Sequence, residues 1–242
     1  MAAQQHVAVL AFPFTSHPIA LFNFVSSLAT AAPKIQFSLF SSAKSNNSIL
    51  STAQNPRRIP ANIRTYNVDD GCVSDGDIGL VKEINCFLNE FPGNSTASMD
   101  AVQMETGKRI TCFITDAFFS SAVCKTAKDM NVPWILFWVP APHVLPAYLE
   151  VDLIQQIYDN NAQAQQQPGG VILHDIIPGF SPISLLDLPS TIFQHEYRYR
   201  DSAKQMRSVL LSKTMSEAST VVMNSYQEIN PAILTDYLKS KF

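Results

Sequence analysis

Short apolar runs that stop at proline or polar residues, with amphipathic stretches between them, limit what this chain can fold into more than any other feature of its sequence. Val7-Ala-Val-Leu-Ala-Phe12 is continuous, apolar and closed by Pro13, the pattern of a strand buried on both faces of a parallel sheet. Leu21, Phe24, Val25 and Leu28 then recur at helical spacing, and Pro33 disfavours helix at the residue before it. Lys34 to Phe40 and Ile63 to Val68 read as strands, and the segment between them, with Pro56 and Pro60, reads as a loop. A helix is predicted over Val81–Glu105, interrupted near Pro92-Gly93. Ile110–Ile114 and Trp134–Trp138 are further strands, and Ala117–Met130 and Leu145–Tyr158 further helices. Asp201–Ser216 reads as a helix, Thr220–Met223 as a short strand and Pro231–Lys241 as a last helix. This alternation predicts an α/β fold, a Rossmann-like doubly wound parallel sheet, in one domain over residues 1–242. The polar, low-complexity tract ending at Gly170 predicts an exposed flexible loop over about 159–170.

Composition narrows the function classes. Lys and Arg number 17 against 20 Asp and Glu, a net charge of −3, which is too small and of the wrong sign for backbone-driven nucleic-acid binding. With 46% apolar and 15% charged residues the chain has material for a large core. Cys72, Cys86, Cys112 and Cys124 form no C-x-x-C pair, and free thiols in a reducing compartment are expected. The apolar run Val7–Phe14 contains Pro13 and lacks a basic flank, so neither a signal peptide nor a membrane span is expected, and the location expected is cytoplasmic.

In open α/β sheets ligands bind beyond the carboxyl ends of the strands, where strand order reverses, and in the common order 3-2-1-4-5-6 that point lies between strands one and four. The residues past strand one are Pro13-Phe14-Thr15-Ser16-His17, and those at the end of strand four are Thr115-Asp116-Ala117-Phe118-Phe119. The topology therefore brings His17 beside Asp116. A carboxylate that accepts a hydrogen bond from one imidazole nitrogen fixes the tautomer and makes the other nitrogen a better proton acceptor. The plain alternative is that His17 is an ordinary loop residue and Asp116 a helix N-cap. His6, His143, His174 and His195 show no metal-ligand spacing, and no metal is predicted. The loop after strand one has no glycine, and G-x-G-x-x-G, G-x-x-x-x-G-K-[ST] and G-x-S-x-G are all missing. That argues against a dinucleotide enzyme, a P-loop hydrolase and an α/β-hydrolase. Phe12, Phe14, Phe118, Phe119, Phe137 and Trp138 fall at strand ends, where a planar apolar ligand would find walls; Phe12 and Phe137 are assigned to the core by alternation.

The segment His6-Val-Ala-Val-Leu-Ala-Phe-Pro-Phe-Thr-Ser-His17 closely resembles the opening of plant family 1 UDP-glycosyltransferases, especially flavonoid 3-O-glucosyltransferases acting on anthocyanidins and flavonols. Ile63-Arg-Thr-Tyr-Asn-Val-Asp-Asp-Gly71, Glu105-Thr-Gly107, Thr111-Cys-Phe-Ile-Thr-Asp-Ala-Phe-Phe119, Ile177-Pro-Gly-Phe180, Asp187-Leu-Pro189 and Asn224-Ser-Tyr-Gln-Glu228 resemble that family in the same order. The resemblance implies the N-terminal, acceptor-binding domain of a two-domain GT-B enzyme. It implies inverting, metal-independent transfer, with His17 as general base and Asp116 as its partner, and UDP-glucose as co-substrate without a cofactor. By the same resemblance Phe14, Thr15, Phe118, Phe119, Trp138 and Tyr148 would face a flavonoid acceptor, and Ser16 and Val139 the donor sugar.

Two departures bear on specificity and activity. Val139 stands where the family carries a threonine that touches the donor sugar, and Tyr148 where a histidine can line the acceptor pocket. The chain stops at Phe242, and the family's second domain, with its W-x-P-Q and H-C-G-W-N-S segments, is not in it. The UDP-sugar would be bound only with that C-terminal domain, so the chain alone is expected to be inactive. The alternative reading is a non-catalytic module that holds a flavonoid or a partner chain; a hydrolase using Ser16 or Ser120 is a distant third.

Overall fold

The computed structural model describes residues 5–52, 59–71, 79–160, 172–173, 176–177, 179–180, 183–188 and 213–242. Two compact units make up the chain, Met1–Val139 and Pro140–Phe242, within the span read from the sequence as one domain.

In the first unit, β1 (His6–Leu10), β2 (Gln36–Ser41), β3 (Ile63–Asn67), β4 (Cys112–Asp116) and β5 (Trp134–Trp138) lie in the order β3-β2-β1-β4-β5. Every pairing among them is parallel. All of β1 is buried, as its unbroken apolar run requires of a central strand. Order reverses between β1 and β4, whose register places Val9 beside Ile114 and Leu10 beside Thr115.

The helices show where local pattern succeeds and where it fails. α1 (His17–Ala31) begins one turn earlier than the apolar spacing suggests, because Pro18 is compatible with a first helical turn. α2 (Ala43–Thr52) occupies the stretch expected to be a loop. Its inward face is mainly polar, with Ser45 and Asn46 buried beside Ile49: the Asn46 amide donates to the Tyr66 carbonyl at 3.0 Å and to Asn67 Oδ1 at 2.8 Å. Such a helix carries no apolar period to read. α3 (Leu80–Thr106) runs through Pro92 without interruption. Phe87, Phe91, Ser95, Met99 and Val102 are all buried, so one face continues past the proline and tertiary packing outweighs the lost hydrogen bond. The Pro92 carbonyl accepts from the Thr96 hydroxyl at 2.8 Å. α3 stops at Gly107, which takes the left-handed conformation with φ 65°. After β4 a 3₁₀ turn, Ala117–Phe119, leads into α4 (Ser120–Met130).

The second unit contains α5 (Leu145–Leu149), α6 (Val151–Asn160), β6 (Thr220–Met223) and α7 (Ala232–Lys239). The single helix expected over Leu145–Tyr158 is broken at Glu150, whose backbone leaves helical geometry at φ −107° and ψ 26°. Glu150 Oε1 instead accepts from the Tyr237 hydroxyl at 2.6 Å and from Lys241 Nζ at 2.5 Å, which ties α5 and α6 to α7. Gly179 has φ 90°, and a Cβ there would lie 3.0 Å from the Tyr237 side chain, which accounts for glycine in Ile177-Pro-Gly-Phe180. The loop expected at 159–170 and the helix expected at Asp201–Ser216 lie mostly outside the described residues.

Candidate active site

The loop after β1 bends sharply before α1. Thr15 has φ 56°, a conformation costly for a β-branched residue and therefore held by its surroundings. The His17 N–H donates to the Phe14 carbonyl at 3.3 Å, closing the turn, and His17 becomes the first residue of α1. Ser16 precedes it, exposed, with no side-chain cap bond.

Asp116 ends β4, the strand beside β1. Its Oδ2 lies 2.7 Å from His17 Nδ1, with side-chain exposures of 1% for Asp116 and 13% for His17. Asp116 Oδ1 accepts from the Phe118 N–H at 3.0 Å. Asp116 thus caps the 3₁₀ turn with one oxygen and contacts the imidazole with the other. With Nδ1 engaged, Nε2 has no hydrogen-bond partner among the described residues and is the nitrogen left to accept a proton.

Aromatic rings surround the pair. Phe12 and Phe118 stack at 5.4 Å, and each meets the His17 ring edge-on, at 5.3 Å and 5.2 Å. Phe14 is half-buried and touches Phe87 of α3 at 5.7 Å. Phe87 escaped the sequence reading because its helical spacing marks it only as core. Phe118 is half-buried and able to meet a ligand, whereas Phe119 and Trp138 have no exposed surface. Phe119 packs flat on Phe91 at 4.3 Å. Val139 is half-buried at the end of the first unit, and Tyr148 is half-buried on α5 of the second.

Other candidates disperse. Ser120 is 1% exposed. His6 is fully buried at the opposite end of β1, His143 is exposed, and His174 and His195 lie outside the described residues. Among the described residues no group of three or more His, Cys, Asp or Glu could hold a metal ion, and no helix is long and apolar enough to cross a membrane. Cys86, Cys112 and Cys124 are free thiols.

No family model matches the chain. Individual proteins do. An anthocyanidin 3-O-galactosyltransferase of Rhododendron delavayi is 34% identical over 230 residues, covering 94% of this chain and 48% of that protein. An anthocyanidin 3-O-glucosyltransferase of Fragaria ananassa is 34% identical over 241 residues, covering 98% and 49%. The crystal structure of a UDP-glucose: anthocyanidin 3-O-glucosyltransferase in complex with UDP superposes with a TM-score of 0.86 at 29% identity, over 100% of this chain and 52% of that one. Along nearly its whole length the chain is similar to anthocyanidin and flavonol 3-O-glycosyltransferases, matching their N-terminal half. It spans about half the length of the relatives it matches. A UDP-glucosyltransferase from Polygonum tinctorium shares the fold at 18% identity and a TM-score of 0.74. The α/β architecture expected from the sequence is thus that of a GT-B glycosyltransferase half.

Proposed function

We propose that this chain is the acceptor-binding half of a flavonoid 3-O-glycosyltransferase, with His17 as general base. The observation that carries the reading is the 2.7 Å contact from His17 to the buried Asp116, at the point where strand order reverses, with Nε2 left open. In the reaction proposed, Nε2 takes the proton of an acceptor hydroxyl as the oxygen attacks the anomeric carbon of a UDP-sugar. The bond from that carbon to the diphosphate oxygen breaks, UDP departs with the electron pair, and configuration inverts. No metal ion enters the scheme. Asp116 keeps the proton-accepting nitrogen aimed outward and stabilises the imidazolium that forms. Phe14 and Phe118 offer partly exposed rings to a planar acceptor. Relatives are named for both galactosyl and glucosyl transfer; UDP-glucose is the donor proposed here, and Val139 and Tyr148 are the positions where sugar and acceptor preference would be set.

Catalysis of this kind depends on holding two reactants together, so the chain alone is expected to transfer nothing. The test is sugar transfer from UDP-glucose and UDP-galactose to cyanidin and quercetin, by the chain alone and by a fusion to the C-terminal half of the Fragaria ananassa relative. The fusion should turn over, and His17→Ala should lower its rate by roughly 10²- to 10⁴-fold with flavonol affinity largely kept. Full activity in the His17→Ala fusion would overturn the base assignment. Flavonol binding by a folded fusion without transfer would mark a binding module instead.

A further inference from the structure

The aromatic ring of Phe12 has a role that burial alone does not explain. At 6% exposure it is almost wholly buried, and it stands at the junction of the site and the core. Toward the site it meets His17 at 5.3 Å with an interplanar angle of 74°, and lies nearly parallel to Phe118, 25° apart. Toward the interior it meets Phe119 at 5.8 Å, and Phe119 stacks on Phe91. The Phe14 ring closes a further side at 5.0 Å.

A hydrogen bond from Nδ1 fixes one point of an imidazole and leaves the ring free to swing about it. Two nearly parallel rings that both meet the imidazole edge-on remove that freedom. Phe118 can do this only in part, since its outer face is open to solvent or ligand. Phe12 is held by its own neighbours on the remaining sides. We infer that Phe12 is a positioning residue for His17: its ring, anchored through Phe119 to the core, fixes the plane of the imidazole so that Nδ1 stays on Asp116 and Nε2 on the open side. The inference rests on the general-base reading above for its catalytic consequence, but its structural content can be read in the chain alone.

The experiment follows the His17 imidazole by nitrogen-15 NMR in the 242-residue chain, its signals identified by their loss in His17→Gln. The wild-type ring should show one tautomer, with a Nδ1–H protected from exchange. Phe12→Met, which keeps most of the volume and removes the ring, should mix the tautomers and speed exchange of that proton by roughly tenfold or more. Phe91→Met is the matched control, since Phe91 is equally buried and stacks on Phe119, but makes no ring contact with His17. It should lower the melting temperature and leave the His17 signals alone. In the active fusion Phe12→Met should reduce kcat roughly 10- to 100-fold with KM little changed, the signature of misplacement without lost binding. Should Phe12→Met not fold, Phe12→Leu is read the same way, and Phe12→Tyr, which keeps the ring, should restore the wild-type signals. Unchanged His17 signals in Phe12→Met, or equal changes in Phe91→Met, would overturn the inference. Asp116→Asn separates the two proposals: if it leaves the tautomer untouched, the pair behind the general-base reading fails, whatever Phe12 does.

Discussion

β1 has a histidine at each end of its path. His6 opens the strand and is fully buried, with Nε2 2.8 Å from the Ser38 hydroxyl and Nδ1 3.3 Å from the Lys108 carbonyl. His17 follows the strand, keeps 13% of its side chain exposed and has one nitrogen on a carboxylate. The first ring has both nitrogens hydrogen-bonded to neutral partners at the start of a central strand. The second has one nitrogen on the Asp116 carboxylate and one without a hydrogen-bond partner among the described residues. The residue type is the same; what separates the two rings is whether the second nitrogen has a partner inside the fold.

The largest test of that contrast is Asp116→Asn. The amide keeps the shape and can present its NH₂ to Nδ1, which forces the proton to Nε2 and removes the accepting lone pair from the open side. Transfer by the fusion should fall on the order of 10²-fold or more, while a small loss of stability, about 1 kcal/mol, follows if the cap to the Phe118 N–H weakens. Steady-state rates and urea unfolding on one preparation would separate the two effects. A fall in stability with normal rates would place Asp116 with the scaffold.

His6→Leu should do the converse. It strips a partner from the Ser38 hydroxyl, which has 0% exposure, and a buried group left unsatisfied costs about 1–3 kcal/mol. The urea midpoint should drop accordingly, and the transfer rate of the folded fusion should stay within about twofold of wild type, since no step depends on this ring.

The same contrast explains which parts of the molecule were legible beforehand. Strands β1, β4 and β5 announce themselves because burial on both faces makes them short, mainly apolar runs, and a parallel sheet with its reversal point locates His17 and Asp116 by topology alone. α2 was missed because its contact face is made by Asn46 and its hydrogen bonds to Tyr66 and Asn67, partners 20 and 21 residues away. The break at Glu150 was invisible for the same reason, its partners being 87 and 91 residues off. Phe12 was read correctly as core, but alternation reports only which way a side chain points and not which ring it will touch. Phe119 and Trp138 are fully buried at strand ends, a degree of burial that position in the sequence does not fix.

The smallest effect expected is one of pH, and it again belongs to His6. Burial pushes its imidazole below the ordinary value of 6.5; the Lys108 carbonyl works the other way, and the nearby Lys108 ammonium adds to the lowering. The folded state therefore prefers the neutral ring, while the unfolded chain takes up a proton near pH 6.5. Where the unfolded state binds more protons, stability rises with pH. The contribution of His6 is thus complete above pH 6.5 and is lost progressively as the pH falls through the lower, folded-state value. Glu150 behaves in the same direction in a more acidic window. Burial opposes its ionisation, but hydrogen bonds from Lys241 and Tyr237 outweigh that and hold it below 4.5, so its contribution is lost only at lower pH. Urea midpoints measured at pH 7.5, 6.5 and 5.5 should decline below 6.5 in the wild type and decline less in His6→Gln, whose amide can still reach Ser38 but does not titrate. Parallel curves for the two proteins would show that the ring at the start of β1 is not the one that senses acid, and the division of labour between the two histidines would have to be redrawn.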